Sequence, residues 1–196
     1  CQYHLLPYPK GEKIHFLFMA RILREKGIDQ YLEAAAIIRQ THPQTVFHVL
    51  GVCTDETYRR TLAQLTDQGV IQYHGPQNDL LPFQAMSSCT IHPTYYPEGM
   101  SNVLLESAAC GRPLITTDRS GCREIVEDGV NGLICRPRDT QDLVAQIEKF
   151  LALRWDQRRD MGLAGRARVE REFDRQIVVD AYLSELADID RQPAMV

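Results

Sequence analysis

The chain has 196 residues, 44% of them hydrophobic and 24% charged, with a formal net charge of −4. That length suits one substantial domain with a real core, and the charge offers no global basic field for nucleic acid. No stretch approaches the roughly 20 apolar residues of a membrane span, and no signal peptide is visible. Cysteines 1, 53, 89, 110, 122 and 135 form no C-x-x-C pair and no zinc spacing, so a reduced, cytoplasmic protein without a metal is expected.

The chain opens on Cys1, and "LLPYPKGEK" (5–13) reads as extended and proline-bearing. Residues 1–13 are therefore expected to be a linker remnant, left by a cut at a domain boundary. "IHFLFMA" (14–20) carries apolar residues on both parities, as a strand covered on both faces does. After Gly27, residues Ile28, Tyr31, Leu32, Ala35 and Ile38 mark one face of a helix that stops before Pro43. "TVFHVLG" (45–51) predicts a second strand, 55–68 an amphipathic helix, "VIQYHG" (70–75) a third strand and "LLPFQAMSS" (80–88) a short helix. "CTIHP" (89–93) is the fourth strand, followed by a loop and a helix starting at Ser101 or Asn102. "RPLITTD" (112–118) is the fifth strand, "GCREIVEDG" (121–129) a short helix and "NGLICRP" (131–137) the sixth strand. From Asp139 on the pattern is helical almost to the end. The alternation predicts an α/β, doubly wound, mainly parallel six-stranded Rossmann-like sheet over 14–174, with 175–196 a C-terminal helix and tail. Ligands in such folds sit at the carboxyl ends of the strands, which directs attention to the loops after residues 20, 51, 75, 93 and 118.

Three of those loops carry chemistry. "ARILREKG" (20–27) places Arg21 and Lys26 beside a helix start, a combination that suits a phosphate or diphosphate and equally suits a solvated loop. The P-loop and G-x-G-x-x-G signatures are missing. In "HPTYYPEGMSN" (92–102) the backbone amides of Met100 to Val103, with Ser101 and Asn102 between them, would open a second anion-binding helix terminus. Glu98 stands just outside that helix and Glu106 within it, among Val103, Leu104, Leu105, Ala108 and Ala109. A carboxylate on such a face needs a partner. A ribose diol supplies one; a backbone amide, or a distant arginine such as Arg112, are the alternatives. His92 is the one histidine placed to see the crevice. In "SGCREIVEDGVNG" (120–132), Gly121 and Cys122 bring backbone near the site and Glu124 buttresses the loop, or the stretch is structural only.

Taken together, "ARILREKG", "YHGPQND" and "PEGMSNVLLESAACGRPLITTDRSGCREIVEDGVNGLI" resemble the carboxyl-terminal half of retaining glycosyltransferases of family 4, which have the GT-B architecture. The match runs from Ile14 to the helix after Asp139, and its hallmark is the pair Glu98 and Glu106 with seven residues between. The resemblance implies that Arg21 and Lys26 neutralise the donor diphosphate as it leaves, in place of a metal. It implies that Glu98 contacts donor-sugar hydroxyls, Glu106 the ribose diol, and Gly75, Gln77 and Asp79 the nucleobase region, largely through backbone. Gly99, Met100, Ser101, Asn102 and Val103 complete the donor site. The implied activity is hexosyl transfer from a nucleoside-diphosphate sugar, a UDP-sugar by preference. The acceptor would be a glycan or lipid-linked sugar in bacterial surface polysaccharide synthesis. No cofactor is implied beyond the donor, and the full-length enzyme could sit peripherally at the inner face of the plasma membrane. Two departures stand out: Ala20 replaces the family's usual glycine, and the amino-terminal, acceptor-binding domain is not in the chain, so the fragment alone would be inactive. A GT-B nucleotide-sugar epimerase or a non-catalytic nucleotide-binding scaffold are the competing readings; a receiver domain is excluded by Ala20-Arg21 and His74-Gly75 at its acidic positions.

Overall fold

The computed structural model describes residues 3–97 and 99–174, together with 176, 177, 179, 182 and 183. The chain alternates β1 (Ile14–Met19), α1 (Ile28–Thr41), β2 (Thr45–Leu50), α2 (Glu56–Asp67), β3 (Gln72–Tyr73), α3 (Leu81–Met86), β4 (Cys89–His92), α4 (Asn102–Ala109), β5 (Leu114–Thr117), β6 (Gly132–Cys135), α5 (Thr140–Ala152) and α6 (Trp155–Glu172). All strand pairs are parallel, in one six-stranded sheet of order β3-β2-β1-β4-β5-β6. The expected tail, 175–196, falls mostly outside the described residues.

The double-sided burial of β1 shows why its sequence is apolar on both parities. Phe16 and Phe18 enter the large core with Tyr31, Phe47 and Phe150, where Phe16 and Phe47 stack at 5.0 Å. Leu17 and Met19 point the other way, into a small core with Leu50, Leu80, Phe83 and Val103. A third cluster joins Leu104, Ala108, Leu114, Cys122, Ile125 and Val126. Small residues let α4 sit close to α6: a β-carbon on Gly162 would lie 2.1 Å from the Gly111 carbonyl oxygen. Gly111, at φ +72°, also stops α4.

Three expected elements differ. Residues 121–129 form turns, not a helix, closed by Cys122 N–H to Arg119 O (3.0 Å) and Val126 N–H to Cys122 O (3.2 Å). The cause is Asn131, whose amide accepts from Glu127 N–H (2.7 Å) and donates to the Ile125 carbonyl (2.9 Å), taking groups a helix would need. The third strand is shorter than 70–75, although its pairing runs on through His74 N–H to Val49 O and Gly51 N–H to Gly75 O. The helical run after Asp139 breaks at Leu153 and Arg154, where the Arg154 N–H donates to Gln157 Oε1 (2.9 Å) and a new helix begins.

Residues 3–9 run extended along the body. Leu6 N–H donates to Cys110 O, the Tyr8 hydroxyl to Ser88 O, and Trp155 Nε1–H to Pro9 O. Arg112 is completely buried and donates to the carbonyls of Leu6 (2.9 Å) and Pro7 (2.7 Å), with Tyr8's ring 5.7 Å away.

Three histidines cross the sheet in a chain. His15 Nδ1 lies 2.9 Å from His48 Nε2, and His48 Nδ1 lies 3.0 Å from His74 Nε2. A neutral imidazole carries one donor and one acceptor, so the chain is satisfied when all three rings are neutral. His48 is 2% exposed, and burial, with the charges of His15 and His74, pushes its pKa down to about 3. An unfolded histidine takes a proton near pH 6.5, which the native ring resists. Stability held above that pH should therefore fall as the pH drops, by at most about 1.4 kcal/mol per unit for each proton refused. Thermal melts of wild type from pH 7 to 5 should slope downward, and His48→Gln should flatten the slope; an unaltered slope would remove the chain from the pH response.

Candidate functional site

The strand order reverses at β1, which has β2 on one side and β4 on the other. The loops that leave β1 and β4 thus emerge side by side at the carboxyl edge, where open α/β sheets hold ligands. The first turns through a short 3-10 segment, Arg24–Lys26, closed by Gly27 N–H to Arg24 O (2.9 Å). The second is fastened to that turn. The amides of Tyr95 and Tyr96 both donate to the Glu25 carbonyl (2.9 and 3.0 Å), as does the Thr94 hydroxyl (3.2 Å). Gly27 has φ +78°, and a β-carbon there would lie 2.1 Å from the Pro93 carbonyl oxygen.

Within this frame Arg21 is exposed, while Lys26 is half-buried with its Nζ 4.6 Å above the Tyr96 ring. Ala20 fits without strain: Arg138 is the non-glycine residue with positive φ among the described residues. The tightness lies across from it instead, where a β-carbon on Gly51 would come within 1.7 Å of the Ala20 oxygen.

Glu98 lies outside the described residues. Gly99 and Met100 are exposed, and Ser101 is the N-cap of α4, with Asn102 the first helical residue. The Ser101 hydroxyl is buried and makes no hydrogen bond among the described residues. Its amide does not face outward as expected, because it donates to the Gly121 carbonyl (3.0 Å). Of the four amides expected there, that of Ser101 is thus spent on the fold, and Asn102 and Val103 are the ones in the first turn of α4. Gly121 is itself braced: its amide donates to Glu124 Oε2 (2.7 Å) and the Ser120 hydroxyl to Oε1 (3.3 Å). Glu124 thus buttresses a loop that reaches α4.

Glu106 is half-buried. Burial lifts its carboxyl above the usual range, and the Tyr3 hydroxyl, bonded to it, pulls it partly back. Tyr3's own phenol is pushed up to about 12 by burial and by Glu106's charge. Arg112 is engaged by backbone carbonyls, so that alternative partner is ruled out. Below the sheet end, α4 is fixed by Gln84 Nε2 to Ser107 Oγ (2.8 Å) and Thr90 Oγ1 to the same oxygen (3.0 Å). Gly75 takes φ +67°, Gln77 Nε2 donates to the His74 carbonyl (2.6 Å), and Asp79 accepts from Leu81 N–H (3.0 Å). With both side chains engaged locally, that loop offers a ligand mainly backbone. His92, the last residue of β4, is 1% exposed. Among the described residues no group of three His, Cys, Asp or Glu side chains is arranged to hold a metal ion.

Tyr3 and Tyr96 had no signal in the sequence, because each joins the site through a contact between distant segments. The loops at one strand switch carry two cations and lead into a helix start, and that helix holds a carboxylate with a hydroxyl neighbour and no ion pair among the described residues, a combination suited to an anionic group joined to a diol.

The family model for glycosyl transferases group 1 matches residues 7–168. The chain belongs to this family. Among its group 1 relatives is the glycogen synthase of Mycobacterium tuberculosis, 30% identical over 179 residues, covering 88% of this chain and 42% of that protein. A lipopolysaccharide core biosynthesis glycosyltransferase, LpsE of Rhizobium meliloti, is 31% identical over 173 residues, covering 86% and 48%. The chain spans less than half the length of these relatives. Its fold matches the crystal structure of Anabaena HepE in complex with UDP, with a TM-score of 0.80 at 22% identity, over 90% of this chain and 49% of that one. It also matches the C-terminal domain of a group 1 glycosyl transferase, LpcC of Francisella tularensis, at 0.73 and 21%, covering 82% and 86%. The six-stranded parallel Rossmann-like sheet is thus that of GT-B glycosyltransferases.

Two glycines test the seam between the loops. Gly27 and Gly129 share φ +78°, but a β-carbon at Gly129 meets nothing within 4 Å. Gly129→Ala should lose about 1 kcal/mol, from backbone strain alone. Gly27→Ala should lose about 2–4 kcal/mol, because it must also part the loops. Urea unfolding of the two variants reads the difference; equal losses would mean the seam yields freely.

Proposed function

We propose that this chain is the nucleotide-sugar donor-binding half of a retaining, family 4 hexosyltransferase. The observation that carries the reading is the seam itself. It ties the turn that carries Lys26 to the loop that leads into α4 at the β1–β4 switch, and Glu106 lies on that helix.

The chemistry follows from charge. Transfer of a sugar from a nucleoside diphosphate leaves negative charge on the departing phosphate, and Arg21, Lys26 and the α4 amides are the groups placed to take it up. Fixed side-chain cations then serve where another enzyme would use a metal. Glu106, half-buried and without a cationic partner among the described residues, accepts from the two ribose hydroxyls. Glu98 contacts the donor sugar, and the Gly75–Asp79 loop lies by the base. Uridine is the favoured base; HepE, of the same fold, has been solved with UDP and with UDP-glucose. The acceptor, a glycan or lipid-linked sugar of bacterial surface polysaccharide, belongs to a preceding domain, and this half alone does not turn over. The full-length enzyme works in the cytoplasm, peripherally at the membrane.

Calorimetric titration with UDP, GDP and ADP tests the reading. UDP should bind, and Glu106→Ala and Lys26→Ala should each weaken it by about 1–3 kcal/mol, as loss of charged hydrogen bonds does. Because burial raises the Glu106 pKa, its carboxylate neutralises at a higher pH than an ordinary glutamate. UDP affinity should therefore decline on acidification earlier than a free carboxylate would dictate, and Glu106→Gln should lose that limb. If UDP binds and both alanine variants bind it equally well, the site is elsewhere; if no nucleotide binds, the donor-half reading falls.

A further inference from the structure

Arg138 is held where glycine would be the easier residue. It is the non-glycine residue with φ in the left-handed region (60°) among those described, a conformation disfavoured for any side chain with a β-carbon. It lies just after Pro137 and before Asp139, the N-cap of α5. A turn of this kind needs no arginine. The side chain nevertheless has a definite place: its guanidinium lies 4.4 Å over the ring of Tyr95. Tyr95 is the residue whose amide is tied to Glu25. The far edge of the sheet is thereby brought to the back of the turn that carries Lys26.

Between them is a cavity of about 400 Å³ lined by Arg24, Glu25, Gln30, Tyr95 and Arg138. That volume lies in the small-molecule range, and its lining is polar. Arg24 is steadied by Asp29 (3.4 Å), which in turn accepts from the Tyr58 hydroxyl (2.8 Å). Gln30 adds a further polar residue to the lining, its Oε1 shut off from solvent. The lining residues carry two guanidiniums, suited to phosphate or carboxylate, and one carboxylate, that of Glu25. A bare anion would meet repulsion from Glu25. A polyhydroxylated anion would satisfy both halves.

We propose that this cavity is a second ligand pocket, distinct from the donor crevice, that takes a small polyol anion between Arg24 and Arg138. It shares the turn 24–26 with the donor crevice, so an occupant braces the backbone that positions Lys26.

Sorbitol-6-phosphate is the probe, because it has no nucleotide and no anomeric centre to occupy a donor site. Arg138→Gly is the central variant: glycine accepts φ 60°, so its melting temperature should equal or exceed wild type. Calorimetry should show the probe binding wild type, with about tenfold or greater loss in Arg138→Gly and in Arg24→Gln. Inorganic phosphate and sorbitol should each bind about tenfold more weakly than the probe. Lys26→Ala should leave probe binding unchanged, and Arg138→Gly should leave UDP affinity within about twofold. Undiminished probe binding by a folded Arg138→Gly would overturn the proposal, as would no binding to wild type at roughly 10 mM. Phosphate binding as well as the probe would overturn the polyol assignment, and loss in Lys26→Ala would return the probe to the donor crevice. The UDP arm separates the two readings: probe binding without UDP binding refutes the donor half and leaves the pocket standing.

Discussion

Gly27 and Pro93 approach so closely that no β-carbon fits between them. The contact is possible because β1 and β4 are neighbours in the sheet although far apart in the chain. One carbonyl, that of Glu25, then gathers two amides and a hydroxyl from the loop after β4. This is an arrangement of backbone, so its shape does not depend on flexible side chains. Lys26, Tyr95 and Tyr96 acquire their positions from it, and α4 begins a few residues further on. Disturb the seam and the two cations of the first loop lose their relation to the helix start.

The elements that obey simple periodicity were legible from the residues. Apolar residues on both parities of β1 meant two covered faces, and the two faces do enter separate cores: Phe16 and Phe18 in one, Leu17 and Met19 in the other. Gly27, Gly111 and Pro43 marked helix boundaries for the same local reasons that operate in the fold. The stretch 121–129 read as helical because its apolar spacing is helical; what breaks it is a side chain, Asn131, that competes for backbone groups from outside the stretch. Site residues on strand ends could be nominated, since parallel alternation says where ligands sit. Their partners could not. The Ser101 amide meets Gly121, Tyr3 meets Glu106 and Arg138 covers Tyr95 through contacts set by the packing of distant segments.

Arg112 and Glu106 show how topology separates residues that look like partners. Six positions apart, one carries a buried positive charge and the other a half-buried negative one. Yet Arg112 lies past the end of α4, at the amino edge of β5, where its guanidinium serves the carbonyls of Leu6, Pro7 and Ser87. Charge-assisted bonds to carbonyls can hold a buried guanidinium without a carboxylate. The same bonds pin residues 6 and 7 to the body, and Arg166 reaches the Ala109 carbonyl at the end of α4 (2.7 Å). The extended amino-terminal segment is thus locked beside α4, which brings Tyr3 to Glu106. A carboxylate left without an ion pair among the described residues has a hydroxyl neighbour instead.

The net charge of −4 argued against a nucleic-acid partner, but it says little about a small anion. Many arginines late in the chain are balanced by near neighbours: Arg154 by Asp156, Arg159 by Asp160, Arg166 by Glu170 and Arg168 by Glu172. Exposed pairs of this kind are screened and contribute little field at a distance. Arg21 and Lys26 differ in where they stand, in the loop that leaves β1 at the strand switch. Charges gathered at such a crevice focus a local field that the overall total does not report. The diphosphate site proposed for that loop is therefore compatible with an acidic total, because such an attraction would depend on the few charges standing together and not on their sum.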